Sequence, residues 1–373
     1  MRHRPPNLSA WLIIIVLLLC FFGLVMLLSI SGPHGEVKHD SSFFFVLRQG
    51  MFLAGGWFLF VIAARTDYRF WFRFVWILYA VTILLLILVY IKPIGQNING
   101  SSRWIRFPGI PVQFQPSELA KLSALLFLAH WFGERHTTWP GFFKGFVLPG
   151  AVLAFMLVLI LAEVDFGATL LIAASSAAMF LAAGAPILWL LPLVVAGAGG
   201  IAFLVSKHPE RMGRIIAFLD PEKYASGAAY QLINALYGFV AGGFTGLGLG
   251  RGLQKQRYLP EAHTDFIYAC IGEELGLLAT LAIIVLFVLF LLVGLRIAAR
   301  SADRRGQLLA FGITTLITLQ ALINIAVVTG CLPTKGLSLP FISYGGSGLL
   351  VLLFMAGLLF NIANHPDPAS EDA

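Results

Sequence analysis

Long apolar runs recur along the whole chain, and this repetition constrains the fold more than any other feature of the sequence. An α-helix needs about twenty apolar residues to cross the roughly 30 Å of hydrocarbon in a bilayer. Runs near that length cover residues 10–31, 50–64, 74–91, 119–132, 146–161, 168–183, 187–205, 266–295, 308–328 and 348–363. We therefore predict an all-α polytopic membrane protein with about ten transmembrane helices. An even number of helices puts both termini on the same side of the membrane.

The composition agrees with a membrane location. Hydrophobic residues make up 59% of the chain, charged residues only 12%, and the mean hydropathy is +0.88. Soluble domains carry about a quarter charged residues. In a membrane protein, a net charge of +7 points to lipid headgroups or phosphates as partners and does not indicate nucleic acid.

The distribution of cations in the short loops predicts the orientation, because short basic loops stay in the cytoplasm. The basic residues on one face are Arg2, Arg4, Arg65, Arg69, Arg73, Arg135, Lys144, Arg296, Arg300, Arg304 and Arg305. Both termini are then cytoplasmic. A large external loop, 206–265, connects helices 7 and 8, and smaller external loops cover 92–116 and 330–347. Residues 229–240 are typical of a short amphipathic or re-entrant helix within the large loop, and we treat 1–373 as a single transmembrane domain.

Ionisable groups cluster where the large loop ends and the chain enters the membrane again. The stretch 258–276, YLPEAHTDFIYACIGEELG, contains Glu261, His263, Asp265, Glu273 and Glu274. An ionisable group near the bilayer centre costs about 2.5–3.5 kcal/mol, so such groups usually have a function. The alternative, which stays open for Glu261 and His263, is that they lie hydrated among the headgroups.

Asp265 is the strongest catalytic candidate in this stretch. A helix that begins near Thr264 puts Ala269, Gly272 and Gly276 on the same side as Asp265. Small residues there allow another helix or a lipid chain to come close. An ionised carboxylate at a helix start, beside a groove and near cations, suits a general base that acts on a phosphate-bearing substrate. The alternative is an N-cap, in which Thr264 or Asp265 closes the helix.

Further polar candidates lie in the smaller external loop and the helix after it. Glu118 and Lys121 are three residues apart and share a helix face, so they form either a local ion pair or a buried pair whose lysine offers a charge to phosphate. Arg103 and Arg106 flank Trp104, which suits either phosphate binding or anchoring among headgroups.

Other polar features give weaker signals. The glycine run 246–252, GLGLGRG, lacks the ending of a P-loop and is more typical of a mobile loop. Gln320 and Asn324 lie four residues apart in the ninth helix, so we expect them to bond to neighbouring helices. No metal site is predicted from ligand spacing.

Several long motifs together resemble the SEDS family (shape, elongation, division and sporulation), and within it the FtsW branch. The motifs are NGSSRWI (99–105), QPSELAKL (115–122), EVDFGAT (163–169), FLDPEKY (218–224), YQLINAL (230–236), GLGLG (246–250), the stretch 258–276 and LPTKGLSLPFISYGGSG (332–348). The chain departs from the family pattern at Val164, where proline is usual, and at Gly348, where a second serine is usual.

The resemblance implies a peptidoglycan glycosyltransferase that polymerises lipid II at the outer face of the cytoplasmic membrane during division. A class B penicillin-binding protein and other division proteins are the implied partners. The family's essential aspartate corresponds to Asp265, as general base, and its further site residues to Arg103, Glu118 and Lys121. Additional substrate-binding candidates are Arg251, Lys255, His263 and Lys335, and residues assigned to structure or cleft are Glu261, Glu273, Glu274, Gln320 and Asn324. No cofactor is certain; a divalent cation, Mg²⁺ or Mn²⁺, is left open.

Two other functions are compatible with the helices. The first is a flippase for lipid II, which predicts charge along a path across the bilayer. The second is a scaffold that activates a penicillin-binding protein without catalysis, in which Asp265 would only cap a helix. The charge of this chain is concentrated on one face, which favours the polymerase over the flippase.

Overall fold

The computed structural model describes residues 7–92, 94–98, 101–106, 113–134, 141–207, 209–225, 227, 229–254, 259 and 262–365. The helices are α1 (Leu8–His39), α2 (Phe44–Arg65), α3 (Tyr68–Trp71), α4 (Val75–Leu88), α5 (Pro116–Gly133), α6 (Leu148–Ala162), α7 (Phe166–Ala183), α8 (Ile187–Ser206), α9 (Pro209–Leu219), α10 (Tyr230–Gly242), α11 (Ile267–Ala299), α12 (Arg304–Val328) and α13 (Gly346–Ala363). A 3-10 turn, Phe72–Phe74, joins α3 to α4, and a π-helical turn, Phe143–Val147, precedes α6.

All ten predicted apolar runs lie in helices, which confirms the all-α polytopic class. Within the described residues, eight segments are long and apolar enough to cross a membrane: Leu8–Gly32, Phe44–Arg65, Tyr68–Leu88, Phe143–Ala162, Phe166–Ala183, Ile267–Ala299, Arg304–Val328 and Gly346–Ala363. The two other runs form α5 and α8. In α5, Glu118 and Lys121 near the helix start lower the mean hydropathy. The exact count of ten spans and the side of each loop stay predictions.

The helices pack around α5, α12 and α13, which are the most buried elements of the bundle. α13 packs on α2, and α12 packs on α5, α7 and α11. Outer helices expose large apolar side chains on their outward faces, such as Phe21 on α1 and Leu188 on α8. An apolar outer surface is what a bilayer requires of a spanning helix.

Ion pairs and backbone contacts tie the helices together at the arginine-rich end of the bundle. Arg69 Nε lies 2.8 Å from Asp303 Oδ2, and Arg305 Nη2 lies 2.6 Å from Glu134 Oε1. Asn361 donates to the carbonyl of Ala64 at 2.8 Å. This is the end that the sequence assigns to the cytoplasm, and the candidate site lies at the opposite end.

One element of the described chain departs from the all-α expectation. The smaller external loop folds into a three-stranded antiparallel sheet of β1 (Gly95–Ile98), β2 (Ser101–Arg106) and β3 (Gln113–Phe114), in the order β1-β2-β3. Gly95 pairs with Ile105 in β2, and Ile105 also pairs with Phe114 in β3. The sheet places Arg103 on its central strand, next to the bundle.

We expect the contact between α2 and α13 to limit the stability of the bundle. A Cβ added at Gly357 would lie 2.5 Å from the carbonyl oxygen of Phe60 and 2.9 Å from the Cβ of Ala63. Gly357→Ala should therefore destabilise the protein by about 1–3 kcal/mol, because the two helix backbones must separate. Thermal unfolding of the detergent-solubilised chain, followed by tryptophan fluorescence, measures the effect.

Gly150 on α6 provides the matched control, because nothing lies within 4 Å of a Cβ added there. Gly150→Ala should leave stability unchanged or raise it by up to about 1 kcal/mol, through helix propensity alone. Equal destabilisation by both variants would contradict the packing argument.

Candidate active site

Asp265 lies at the start of α11, directly before its N-terminus. The helix begins at Ile267, its N-cap is Phe266, and Phe266 makes no side-chain capping hydrogen bond. The interpretation of Thr264 or Asp265 as the cap is therefore wrong. Asp265 is only half-buried, so its carboxylate lies at the surface of the bundle end and in the positive field of the helix.

The amide of Asn324, on α12, fixes the backbone on which Asp265 stands. Its Nδ2 donates to the carbonyl of Asp265 at 2.8 Å and to the carbonyl of Leu337 at 2.6 Å. One buried side chain thereby joins the start of α11 to the segment 329–345, which connects α12 to α13. The expectation that Asn324 bonds across helices agrees with these contacts, and the partners are loop and helix-start carbonyls.

The same connecting segment holds the two residues before Asp265. Ser343 Oγ donates to the carbonyl of Thr264 at 2.6 Å, and the amide of Tyr344 donates to the carbonyl of His263 at 3.0 Å. The His263 ring lies 5.0 Å from the ring of Phe45 and 5.8 Å from that of Tyr344, between centroids. His263 is thus part of an aromatic cluster next to the catalytic candidate, and substrate binding by it stays a prediction.

Gly336 lies beside the Asp265 carboxylate. A Cβ added at Gly336 would lie 2.8 Å from Asp265 Oδ2, so a larger residue there would require the carboxylate to shift. Its neighbour Lys335 is half-buried, and burial lowers the pKa of the Lys335 ammonium. Lys335 is thus adjacent in sequence to the residue beside the carboxylate, and phosphate binding by Lys335 stays a prediction.

Glu118 and Lys121 form a buried ion pair inside the bundle. Lys121 Nζ donates to Glu118 Oε1 at 2.7 Å and to Gln320 Oε1 at 3.0 Å, and the Lys121 side chain is 1% exposed. Gln320 Nε2 in turn donates to the carbonyl of Ser338 at 2.9 Å. The ammonium is enclosed and donates to two acceptors, and phosphate binding by Lys121 stays a prediction. Through Gln320, hydrogen bonds link this ion pair to the connecting segment.

The small residues of α11 accommodate protein and leave no open groove. A Cβ at Gly272 would lie 2.2 Å from Phe239 Cδ1, and a Cβ at Gly242 would lie 1.9 Å from the carbonyl oxygen of Gly272. At Gly276 the helix breaks, with φ of 75°, and the backbone of Phe244 packs against it. A lipid channel along this face is therefore wrong. Of the two occupants expected beside these small residues, a helix or a lipid chain, the structure has a helix, which is α10.

Glu273 and Glu274 hold the glycine run in place. Glu273 Oε1 accepts from the amide of Leu253 at 2.7 Å, and Glu274 Oε2 accepts from the amide of Gly250 at 3.1 Å and from Ser29 Oγ of α1. Both carboxylates are 1% exposed. The interpretation of a mobile glycine loop is not supported, since buried carboxylates bind its amides. Arg251 stands exposed on this anchored loop.

Two predicted residues, Lys255 and Glu261, lie outside the described residues. Within the described part of the chain, no group of three or more His, Cys, Asp or Glu side chains comes together to hold a metal ion. The divalent cation named above stays an open prediction, and no step below is routed through one.

The turn between α6 and α7 is a second polar centre that the candidate list did not include. Asp165 caps α7 by accepting from the amide of Ala168 at 3.2 Å, and it also accepts from Gln115 Nε2 at 3.0 Å and Ser117 Oγ at 3.1 Å. The motif EVDFGAT carried a signal for this site, since it places two carboxylates between apolar runs.

Arg103 reaches this turn from the central strand of the small sheet. Its Nη2 donates to the carbonyl of Val164 at 2.7 Å. Val164 has a φ of 71°, which is a strained backbone conformation for a β-branched residue. The guanidinium is thus bound to the protein on one side, and Arg103 as a whole is half-buried.

Arg48 of α2 is a further cation near the site that sequence reasoning missed. It is half-buried, its charge acts on Tyr344, and Tyr344 contacts both Phe45 and His263. No motif marked Arg48, because it sits alone at the start of an apolar helix.

The fold and this site define a multi-pass membrane protein with a carboxylate-centred polar site at one end of its helix bundle. A family profile described as "Cell cycle protein", which covers FtsW, RodA and SpoVE, matches residues 10–367. The chain belongs to this family.

Curated relatives span nearly the whole chain. It is 41% identical over 354 residues to "Probable peptidoglycan glycosyltransferase FtsW" of Geobacter metallireducens, which covers 95% of this chain and 94% of the relative. It is 37% identical over 364 residues to "Stage V sporulation protein E" of Bacillus subtilis, with 98% of each chain covered.

Solved structures share the fold. One comes from a study of a peptidoglycan synthase complex that coordinates polymerization and crosslinking; it has a TM-score of 0.77 and 27% identity and covers 95% of this chain and 96% of that one. Another is the rod shape determining protein RodA of Thermus thermophilus, with a TM-score of 0.68, 26% identity and 95% of each chain covered.

The buried ion pair of α5 leads to a prediction about stability. Glu118→Gln removes the negative partner of an enclosed ammonium and should destabilise the protein by about 3 kcal/mol. The double variant Glu118→Gln with Lys121→Met removes both charges and should recover most of that loss. Thermal unfolding of the purified chain compares the three proteins; a double variant less stable than Glu118→Gln would contradict the pairing.

Proposed function

We propose that the chain is a peptidoglycan glycosyltransferase that polymerises lipid II during cell division, with Asp265 as general base. The observation that carries the proposal is a half-exposed carboxylate whose backbone is fixed by buried side chains from two other elements. A general base must lie within hydrogen-bond reach of the proton that it takes, and a rigid support keeps it there. The relatives named as FtsW glycosyltransferases support the same activity.

In the proposed reaction, Asp265 takes the proton from the 4-hydroxyl of the acceptor sugar. The oxygen forms a bond to the anomeric carbon of the donor, and the bond from that carbon to the diphosphate breaks with inversion. Undecaprenyl diphosphate leaves with the bonding electrons. Negative charge grows on the leaving group, so cations already in place are worth several kcal/mol, since one well-placed donor contributes about 3 kcal/mol.

Three cations among the described residues are candidates for that charge, in addition to Arg48. Lys335 directly precedes Gly336, which lies beside the Asp265 carboxylate. Arg103 binds the α6–α7 turn, and Arg251 is exposed on the anchored glycine loop. Gly336 and Leu337 also pack against Gly167 at the start of α7, which brings the turn close to the Asp265 site. We propose that Lys335 and Arg103 bind the phosphates of the donor.

The proposed partner is a class B penicillin-binding protein at the division site. The structural neighbour from a synthase complex that couples polymerization to crosslinking supports a crosslinking partner for this fold. The outer face of the cytoplasmic membrane, away from the arginine-rich end, is the proposed location of the site.

Replacement of the proposed base should abolish polymerisation. Asp265→Asn keeps the size of the side chain but cannot accept the proton, so the rate should fall by a factor of about 10²–10⁴. The measurement is glycan synthesis from labelled lipid II by the purified chain with its penicillin-binding protein, resolved by chain length.

Asp220→Asn is the matched control, because Asp220 is an exposed aspartate of the same large loop. It should polymerise at the wild-type rate. Normal polymerisation by Asp265→Asn would reject the proposed mechanism, whereas loss of polymer with intact partner binding would reject the pure scaffold. Movement of lipid II across liposomes without polymer would favour the flippase.

The lowered pKa of Lys335 leads to a prediction about alkaline pH. Because burial lowers this pKa, the ammonium loses its proton at a lower pH than an exposed lysine does. Polymerisation should therefore fall on the alkaline side, and Lys335→Arg, which stays charged, should move that fall to higher pH. If the polymerisation rate fell at the same alkaline pH in wild type and Lys335→Arg, the proposed phosphate-binding role of Lys335 would be rejected.

A further inference from the structure

Glu163, in the turn between α6 and α7, is a buried carboxyl group without a hydrogen-bond partner. Its side chain is 1% exposed, and neither Oε1 nor Oε2 has a partner among the described residues. Burial, together with the charge of Asp165, raises the pKa of Glu163 to about 9, although the charge of Arg103 acts in the opposite direction. At neutral pH the group is therefore protonated and uncharged.

Arg103 is the opposite charge that acts on Glu163, and only part of its guanidinium is hydrogen-bonded. Its Nη2 is bound to the carbonyl of Val164, the residue after Glu163, while its Nε is buried and makes no hydrogen bond to a described residue. The Arg103 Nε donor and both carboxyl oxygens of Glu163 thus make no hydrogen bond to a described residue, although Arg103 binds the residue next to Glu163. An ionised Glu163 would find its nearest cation in this guanidinium.

The other groups around Glu163 do not compete for this role. Asp165 accepts hydrogen bonds from Gln115, Ser117 and the amide of Ala168. Tyr90, two residues after α4, donates to the carbonyl of Leu159 at 3.3 Å, and burial and the charge of Glu163 raise the pKa of its hydroxyl to about 12. Tyr90 therefore stays neutral over the range in which Glu163 titrates.

The segment that contains Gly336 lies between the start of α7, just after this turn, and the proposed catalytic base. A Cβ at Gly167 would lie 3.1 Å from Leu337 Cγ and 3.4 Å from the carbonyl oxygen of Gly336, and Gly336 contacts the Asp265 carboxylate. The turn that Arg103 binds is therefore followed by a residue that packs against the segment containing Lys335, the other cation proposed for the donor phosphates.

We propose that Glu163 is a positioning residue that acts through Arg103: its protonated carboxyl leaves the guanidinium available to a substrate diphosphate, and its ionised carboxylate captures the guanidinium. This inference rests on the proposed function, in which Arg103 binds phosphate. The physical basis is linkage, because an anion on Arg103 removes the charge that favours ionised Glu163. Binding of a diphosphate and protonation of Glu163 then strengthen each other.

The test measures binding and needs no turnover. Farnesyl diphosphate, a short lipid diphosphate, is titrated by calorimetry into the detergent-solubilised full chain between about pH 7.5 and about pH 10, with the Lys335→Arg substitution in every protein so that Lys335 does not titrate. Because the fraction of protein with an uncaptured Arg103 guanidinium falls as Glu163 ionises, the dissociation constant for farnesyl diphosphate should rise about tenfold by about pH 10. Glu163→Gln, which stays neutral, should bind with an affinity that is constant over this range.

Two further variants make the outcome decisive. Glu163→Asp keeps an ionisable group and should keep an alkaline loss of affinity, while Arg103→Gln should bind weakly at every pH without that loss. An alkaline loss in Glu163→Gln equal to that of the parent protein overturns the proposal, and so does a constant affinity in the parent.

The failure of this inference is distinguishable from the failure of the proposed function. A pH-independent diphosphate affinity, together with a polymerisation rate that depends on Asp265, would reject the positioning role of Glu163 and leave the proposed function intact. Normal polymerisation by Asp265→Asn would remove the proposed mechanism whatever Glu163 does.

Discussion

The cost of burying irregular backbone at the membrane boundary organises this protein. Residues 329–345, between α12 and α13, form no helix or strand, yet Leu337, Leu339, Phe341 and Ile342 are buried. Backbone polar groups that lose water must find partners inside the protein, and irregular backbone at membrane depth survives only where such partners exist. Side chains from the surrounding helices supply them, and the catalytic candidate is built on the same contacts.

The partners come from several helices. Asn324 and Gln320 of α12 bind the carbonyls of Leu337 and Ser338, and Gln49 Nε2 of α2 binds the carbonyl of Ser343 at 3.2 Å. Gln320 is held in turn by Lys121. The Asp265 site is thus supported by polar groups inside the bundle, which gives a physical reason for an apolar chain to retain a buried ion pair at the start of α5.

Much of the fold follows from hydropathy, because a bilayer demands long apolar helices and every predicted run became one. The location of Asp265 at a helix start also followed from the sequence. The role of Gly272 and Gly276 did not, because small residues indicate close approach without naming what approaches. The three-stranded sheet was missed since its strands are short and polar. The spacing around Lys121 shows a shared helix face, but it cannot show that Gln320 also accepts a hydrogen bond from the Lys121 ammonium.

The anchoring of the glycine loop by α11 has a consequence for how the chain is made. Glu273 and Glu274 occupy the first part of a helix that must enter the bilayer, and a bare carboxylate there opposes insertion. The amides that neutralise this cost belong to Leu253 and Gly250, which leave the ribosome earlier. The loop, α10 and the first third of α11 are therefore expected to form one cooperative unit, since the carboxylates are compensated only when the loop amides are in place.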